Sequence, residues 1–174
     1  GRIAADQVVI AAGTGAPALL APLGLTLPMA HRPGAILRTR PVGLRLNHIL
    51  AAPEREIRQD AMGRLIVPTA AGHQGDSGAG LTRPETMATE TLAELAALFD
   101  LPGLQAESLA LAERPVPGDG LPLAGPVPAI PGLWLAVLHS GITLAPLIGE
   151  LLAAEIVKGE EPPLLAPFRP ERLI

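Results

Sequence analysis

Arg114 and the triplet His139-Ser140-Gly141 are the residues of this chain whose types and surroundings best suit chemistry. A guanidinium presents a rigid fork of donors that matches a carboxylate. Pro115 directly after Arg114 biases that residue to extended backbone and so sets its direction. The plain alternative is a structural ion pair with Glu107, Glu113 or Asp119. The triplet lies between an apolar run, Gly132–Leu138, that reads as a buried strand and an apolar helix over about 143–157. A strand that feeds a helix through a tight polar turn aims backbone N–H groups and the positive helix end at one spot, and Gly141 lets another backbone or a ligand approach closely. Here the alternatives are an ordinary cap, with Ser140 accepting from the first-turn amides and His139 a hydrogen-bonded spacer, or a phosphate held at the 139–143 helix end.

Other candidates are less pointed. Gly13 ends an apolar strand and is open between a ligand neighbour and a residue needed for the strand-to-helix turn. Arg32, in His31-Arg32-Pro33-Gly34, reads as a solvated charge. His48 and His73 have no carboxylate or histidine at ligand spacing, so no metal site is expected. Glu150 falls on the exposed side of its helix and takes no role. The chain has no cysteine, which removes disulfides and thiolate chemistry and leaves the redox compartment open.

Composition narrows the class. Of 174 residues 48% are hydrophobic and 17% charged, yet the aromatics are one Trp and two Phe. So much apolar surface with so little charge suits a piece that expects a partner surface. The net charge of −4 and the scatter of basic residues, all arginine except Lys158, argue against nucleic acid. Gly120–Gly149 contains no Asp, Glu, Lys or Arg. Five prolines (122, 126, 128, 131 and 146) break it, so it reads as buried strand plus buried helix and not as a membrane span. The first residues have no signal-peptide layout, and a cytoplasmic location is expected.

The elements that must position these residues follow from pattern. Gln7–Ala12 is a continuous apolar run, as in a parallel strand buried on both faces. Six preceding residues supply it no neighbours, so the chain is expected to be part of something longer. Pro17–Leu23 predicts a short helix. Ala35–Arg40 alternates as a half-exposed strand, and 55–60 with 64–67 reads as a hairpin across Ala61-Met62-Gly63. A glycine-rich loop over 72–80 leads to Thr82-Arg83-Pro84-Glu85, a capping box with an early proline. Ala88, Leu92, Leu95 and Phe99 then mark one helix face ending near Asp100-Leu101-Pro102-Gly103. A strand covers 105–113. In the last helix Leu144, Leu147, Ile148, Leu151 and Leu152 point inward, Lys158-Gly159 closes it, and Pro162–Pro170 is a proline-rich tail. No internal repeat is present.

Two motifs in order, R-P-x-x-x-D-G-x-P-x-x-G from Arg114 to Gly125 and H-S-G-x-T-L-A-P from His139 to Pro146, resemble the C-terminal flavin-contacting segment of the D-amino acid oxidase/glycine oxidase family of FAD-dependent oxidoreductases. The opening A-D-x-V-V-I-A-A-G resembles that family's late strand of the FAD lobe. Likeness is good over about 3–40 and 105–160 and only general between. It implies an α/β (α+β) fold made of part of a Rossmann-like FAD-binding lobe and a mixed or antiparallel-sheet substrate lobe. The implied division is 1–27 and 113–174 in the FAD lobe and 28–112 in the substrate lobe. It implies FAD as cofactor, neighboured by Gly13, His139, Ser140, Gly141, Ile142 and Thr143, and Arg114 as holder of the substrate carboxylate; His31-Arg32-Pro33-Gly34 resembles the family's short basic-glycine segment, which would set Arg32 beside the cofactor in place of a solvated charge. The implied reaction oxidises a C–N bond of an amino acid or related amine by hydride transfer to flavin N5, giving an imine that water hydrolyses. The glycine-rich dinucleotide fingerprint is absent, Gly13-Thr14-Gly15 being only a partial match. The expectation is therefore the C-terminal portion of a larger flavoenzyme, inactive alone, that needs its N-terminal half or another chain. The rival is a fragment or interaction subunit of the same ancestry that binds no FAD by itself. Two departures stand out: Leu138 replaces a glycine often found before the histidine, and there is no tyrosine to help hold substrate.

Overall fold

Val8–Ile10 of the first apolar run forms β1 in a computed structural model that describes residues 1–52, 55–69 and 83–174. The strand is shorter than the run and is not buried on both faces. Ile10 is buried, whereas Val8 and Val9 are 49% and 46% exposed. A 3₁₀ turn at Gly13–Gly15 leads into α1, Ala16–Leu20, whose Ala16 and Leu20 are fully buried. A second 3₁₀ turn, Ala21–Leu23, ends at Gly24 in the left-handed region.

The chain divides into two compact units, Gly1–His31 with Arg114–Ile174 and Arg32–Glu113. In the second, β2 (Pro33–Pro41), β3 (Leu50–Ala52), β4 (Arg55–Gln59), β5 (Arg64–Pro68) and β6 (Ala106–Glu113) make one antiparallel sheet in the order β3-β4-β5-β2-β6. Alternation along β2 buries Ala35, Leu37 and Thr39 and exposes Ile36 and Arg40. Helix α2, Pro84–Phe99, closes the inner face, packing Ala88 and Leu95 with Leu37, Ile57, Leu65 and Val67. The expected capping threonine, the glycine-rich loop and His73 lie outside the described residues. At the helix start itself Arg83 is left-handed (φ 67°) and no side chain caps the first turn.

The first unit resumes with β7, Leu123–Pro126, and β8, Leu133–Val137. Together with β1 they form a three-stranded sheet in the order β1-β8-β7, with β1 parallel and β7 antiparallel to β8. The Trp134 indole donates to the Gln7 side chain at 2.6 Å, tying β1 to β8. Helix α3 spans Gly141–Lys158, starting two residues earlier than the pattern predicts. Its buried stripe is Ile148, Leu152 and Glu155. Leu147, expected inward, is 44% exposed because it sits about 100° round the helix from Ile148. The proline-rich tail is regular structure: 3₁₀ turns at Pro163–Phe168 and Pro170–Arg172 bury Leu165 and Pro170. Among the described residues no helix is long and apolar enough to cross a membrane.

Candidate functional site

Parallel neighbours deliver their carboxyl ends to the same edge of a sheet, and open α/β sheets bind ligands at that edge. Here β1 ends toward Gly13 and its parallel partner β8 ends toward His139-Ser140-Gly141. The loop that follows Arg114 packs at the first of these ends. Gly13 has φ +53°, and a Cβ built on it would lie 3.5 Å from Cβ of Pro115. The turn therefore needs a glycine for its own backbone and also rests against the residue that follows Arg114.

The segment behind Arg114 is held by backbone bonds. Val116 N–H donates to the Arg114 carbonyl at 2.9 Å, Ala30 N–H to the Val116 carbonyl at 2.9 Å, and Gly118 N–H to the Pro28 carbonyl at 2.9 Å. Arg114 itself is half-buried. Two of the three carboxylates that the ion-pair alternative offered hold other guanidiniums: Glu107 pairs with Arg64 at 3.1 Å and Asp119 with Arg172 at 2.8 Å. The third, Glu113, accepts from the Arg32 backbone N–H. Arg32 and Glu113 belong to the Arg32–Glu113 unit, so that unit, and not the one carrying Gly13 and Arg114, holds Arg32.

The His139-Ser140-Gly141 turn differs from an ordinary cap. Ser140 is left-handed (φ 58°) and makes no side-chain bond to the first turn of α3. Its hydroxyl lies 3.1 Å from His139 Nδ1 instead. The Ser140 carbonyl accepts from Leu144 N–H at 3.0 Å, which starts the helix and leaves Gly141, Ile142 and Thr143 as the first-turn donors. All three are exposed, Ile142 at 95%. A Cβ on Gly141 would meet nothing within 4 Å, so no neighbour in the chain requires a glycine there. Leu138 is buried in a cluster with Ala124, Ile148, Leu152 and Leu165, so it serves packing.

Several motif residues that the sequence groups with the chemistry turn out to anchor the tail. Asp119 Oδ1 accepts from Leu121 N–H at 3.0 Å, and its Oδ2 receives the Arg172 fork at 2.9 and 2.8 Å. Arg172 also donates to the carbonyls of Pro122 at 3.2 Å and Pro167 at 2.8 Å. Burial raises the Asp119 pKa, but the Leu121 N–H and the Arg172 guanidinium outweigh it and hold the carboxyl below its usual value of 3.8. Arg169 crosses Gly125, where a Cβ would stand 2.7 Å from its Nη1, and pairs with buried Glu155 at 2.8 Å. Sequence reasoning missed this pair; a lone Glu on the apolar stripe of α3 is the signal that pointed to it. His48 is exposed, and among the described residues no three potential ligands cluster for a metal.

A parallel strand pair with a glycine turn and an uncapped helix start at its carboxyl edge defines a piece of a nucleotide-cofactor lobe joined to a separate antiparallel sheet. The chain belongs to the FAD dependent oxidoreductase family, which it matches over residues 1–155. It is 31% identical over 173 residues to glycine oxidase of Pseudomonas aeruginosa, covering 98% of this chain and 47% of that protein. Among solved structures it resembles iminodiacetate oxidase from Chelativorans sp. BNC1, with a TM-score of 0.74 and 27% identity over 98% of this chain and 47% of that one. Glycine oxidase from Geobacillus kaustophilus gives a TM-score of 0.70 and 30% identity over 98% and 46% of the two chains. The chain thus spans about half the length of the relatives it matches.

Proposed function

We infer that the chain is the C-terminal portion of an FAD-dependent oxidoreductase that oxidises the C–N bond of an amino acid or related amine, and that its 174 residues do not act alone. The observation that carries this reading is the shared carboxyl edge of β1 and β8, where the Gly13 turn rests on Pro115 and β8 runs into the uncapped start of α3. When bound, FAD supplies the acceptor for the hydride that leaves the carbon beside the substrate nitrogen.

The donors on the page suit such a cofactor. First-turn N–H groups of Gly141, Ile142 and Thr143, backed by the positive end of α3, stabilise negative charge gathering next to them. Open space at Gly141 admits a planar ring against the backbone. Arg114 takes the substrate carboxylate in its fork and fixes which bond of the α-carbon is presented. Gly13 forms the adjoining wall, and the His139–Ser140 contact holds the turn. The division into FAD-lobe segments 1–27 and 113–174 and a substrate lobe 28–112 belongs to this reading, as does the dinucleotide fingerprint in the half of the relatives' length that the chain does not span.

The test is anaerobic mixing of amines with the protein expressed together with its upstream half and carrying bound FAD. Glycine, D-amino acids and carboxylated secondary amines are expected to bleach the yellow absorbance. A protein that holds FAD but is bleached by no α-amino acid or carboxylated amine would overturn the reading.

A further inference from the structure

Residues 165–174 reach the neighbours of each element that the reading above places at cofactor and substrate. Leu165, fully buried, packs with Leu138, which directly precedes His139, and with Ile148 and Leu152 of α3. The Arg169 guanidinium meets buried Glu155, near the far end of the same helix, at 2.8 Å. Arg172 grips the loop that follows Arg114: its fork takes Asp119 at 2.9 and 2.8 Å and the Pro122 carbonyl at 3.2 Å. Leu173 and Ile174 then pack against the cluster that holds Ile10 and Ala16, which flank the Gly13 turn in sequence.

Stability alone is a poor account of these grips. A buried ion pair gains little over apolar residues of similar volume, because desolvating both charges offsets most of their attraction. What a guanidinium fork adds to apolar packing is direction. Glu155 lies about 20 Å along the helix from Gly141, so the Arg169–Glu155 pair sets the line along which α3 delivers its first-turn donors. Gly125 of β7 leaves the room for it, since a Cβ there would stand 2.7 Å from Arg169 Nη1. Arg172 does the same for the Arg114 loop. Its guanidinium bonds Asp119 and Pro122 on the loop side and the Pro167 carbonyl, at 2.8 Å, within its own segment, which holds loop and segment at one spacing.

We propose that residues 165–174 are a tie that fixes the Arg114 loop against the start of α3. Arg172 is a positioning residue for the substrate carboxylate, acting through the Arg114 loop, and Arg169 is a positioning residue for the cofactor, acting through α3. The tie rests on the oxidoreductase reading and adds to it the part of the chain that keeps the two binding elements in register. A carboxylate held at Arg114 and a ring lying at Gly141 are useful to each other only at a fixed separation, and a misplacement of about 1 Å costs up to about a hundredfold in rate.

The experiment compares Arg172→Gln and Arg169→Gln with wild type in the enzyme that carries its upstream half and bound FAD, at a temperature where circular dichroism shows each variant folded. The readouts are KM and kcat for a carboxylated amine, the FAD dissociation constant and the visible spectrum of the flavin. Arg172→Gln is expected to raise KM about tenfold and to leave FAD affinity as it is. Arg169→Gln is expected to weaken FAD binding about tenfold and to shift the flavin absorbance, with KM unchanged once FAD saturates. Arg172→Lys and Arg169→Lys keep the charge and lose the fork, so they should fall between, and they stand in for a glutamine variant that does not fold. Lower melting temperatures with KM, FAD affinity and spectrum all as in wild type would make the segment a structural anchor only and overturn the proposal. So would a fall in every readout together in both variants, since two separate grips require the split. If wild type is bleached by no amine, the oxidation reading fails by itself, and FAD affinity and spectrum of the Arg169 variants still decide the tie.

Discussion

Gly141 separates the needs of the fold from the needs of the site, since a Cβ there would meet nothing within 4 Å, and Arg114 is the residue to which the proposed reaction assigns the substrate carboxylate. Arg114→Ala in the FAD-loaded enzyme is expected to raise KM for carboxylated amines, by roughly 2–4 kcal/mol of lost binding, with amines that lack a carboxylate spared. Steady-state kinetics on a matched amine pair checks it, and equal kcat/KM for wild type and variant on the carboxylated member would remove Arg114 from the site. Gly141→Ala tests the helix start. The added methyl meets nothing within 4 Å, and alanine suits a helix better than glycine by about 0.5–1 kcal/mol. The melting temperature should therefore hold or rise while FAD affinity falls. A variant that binds FAD as tightly as wild type would show that no ring approaches that backbone.

At the scale of elements, the tail is where charge chemistry holds structure. Removing Arg169 leaves Glu155, 6% exposed, as an unpaired buried carboxylate, so Arg169→Ala should cost about 3–5 kcal/mol in denaturant unfolding. The milder Glu155→Gln keeps a polar partner and should cost less. Asp119 sets a pH dependence. Its folded pKa lies below the usual 3.8, so its contribution is present above that value and is lost as pH falls through the folded pKa. Melting temperatures measured from roughly pH 5 down to 3 should fall for wild type and fall less steeply for Asp119→Asn. Identical slopes would deny the Arg172 clamp any weight. These contacts also show why some structure was legible in the sequence and some was not. Period-2 and period-3.6 patterns betray β2, α2 and α3 because burial of one face acts along the whole element. Likewise the polar turn at His139 follows from the strand before it and the helix after it. The strands Leu50–Ala52 and Leu123–Pro126 are short, and their places depend on partners distant in sequence. The tail reads as loose proline-rich chain because its order comes from Arg169 and Arg172 reaching side chains and carbonyls elsewhere in the unit.

At the scale of the whole molecule, β1 carries the sharpest consequence. Among the described residues it pairs with β8 on one edge only. Val8 and Val9 lie open on an apolar groove of about 810 Å³ that also takes in Leu19, Leu23 and Ile130. A parallel strand with an unpaired edge and half-exposed valines is a surface that seeks another strand. Its relatives are about twice as long, and a further parallel strand with its helix would satisfy both the edge and the groove. The 174 residues alone should therefore self-associate at micromolar concentration and hold FAD weakly or not at all. Val8→Lys places a charge on the open face and is expected to reduce association without unfolding the core, since Ile10 is the buried member of β1. Light scattering with a dye that reports exposed apolar surface measures the first effect, and dialysis against free FAD the second. A stable monomer that binds little dye, or one that keeps one FAD per chain through dialysis, would mean that β1 needs no partner and that the chain completes its own cofactor lobe.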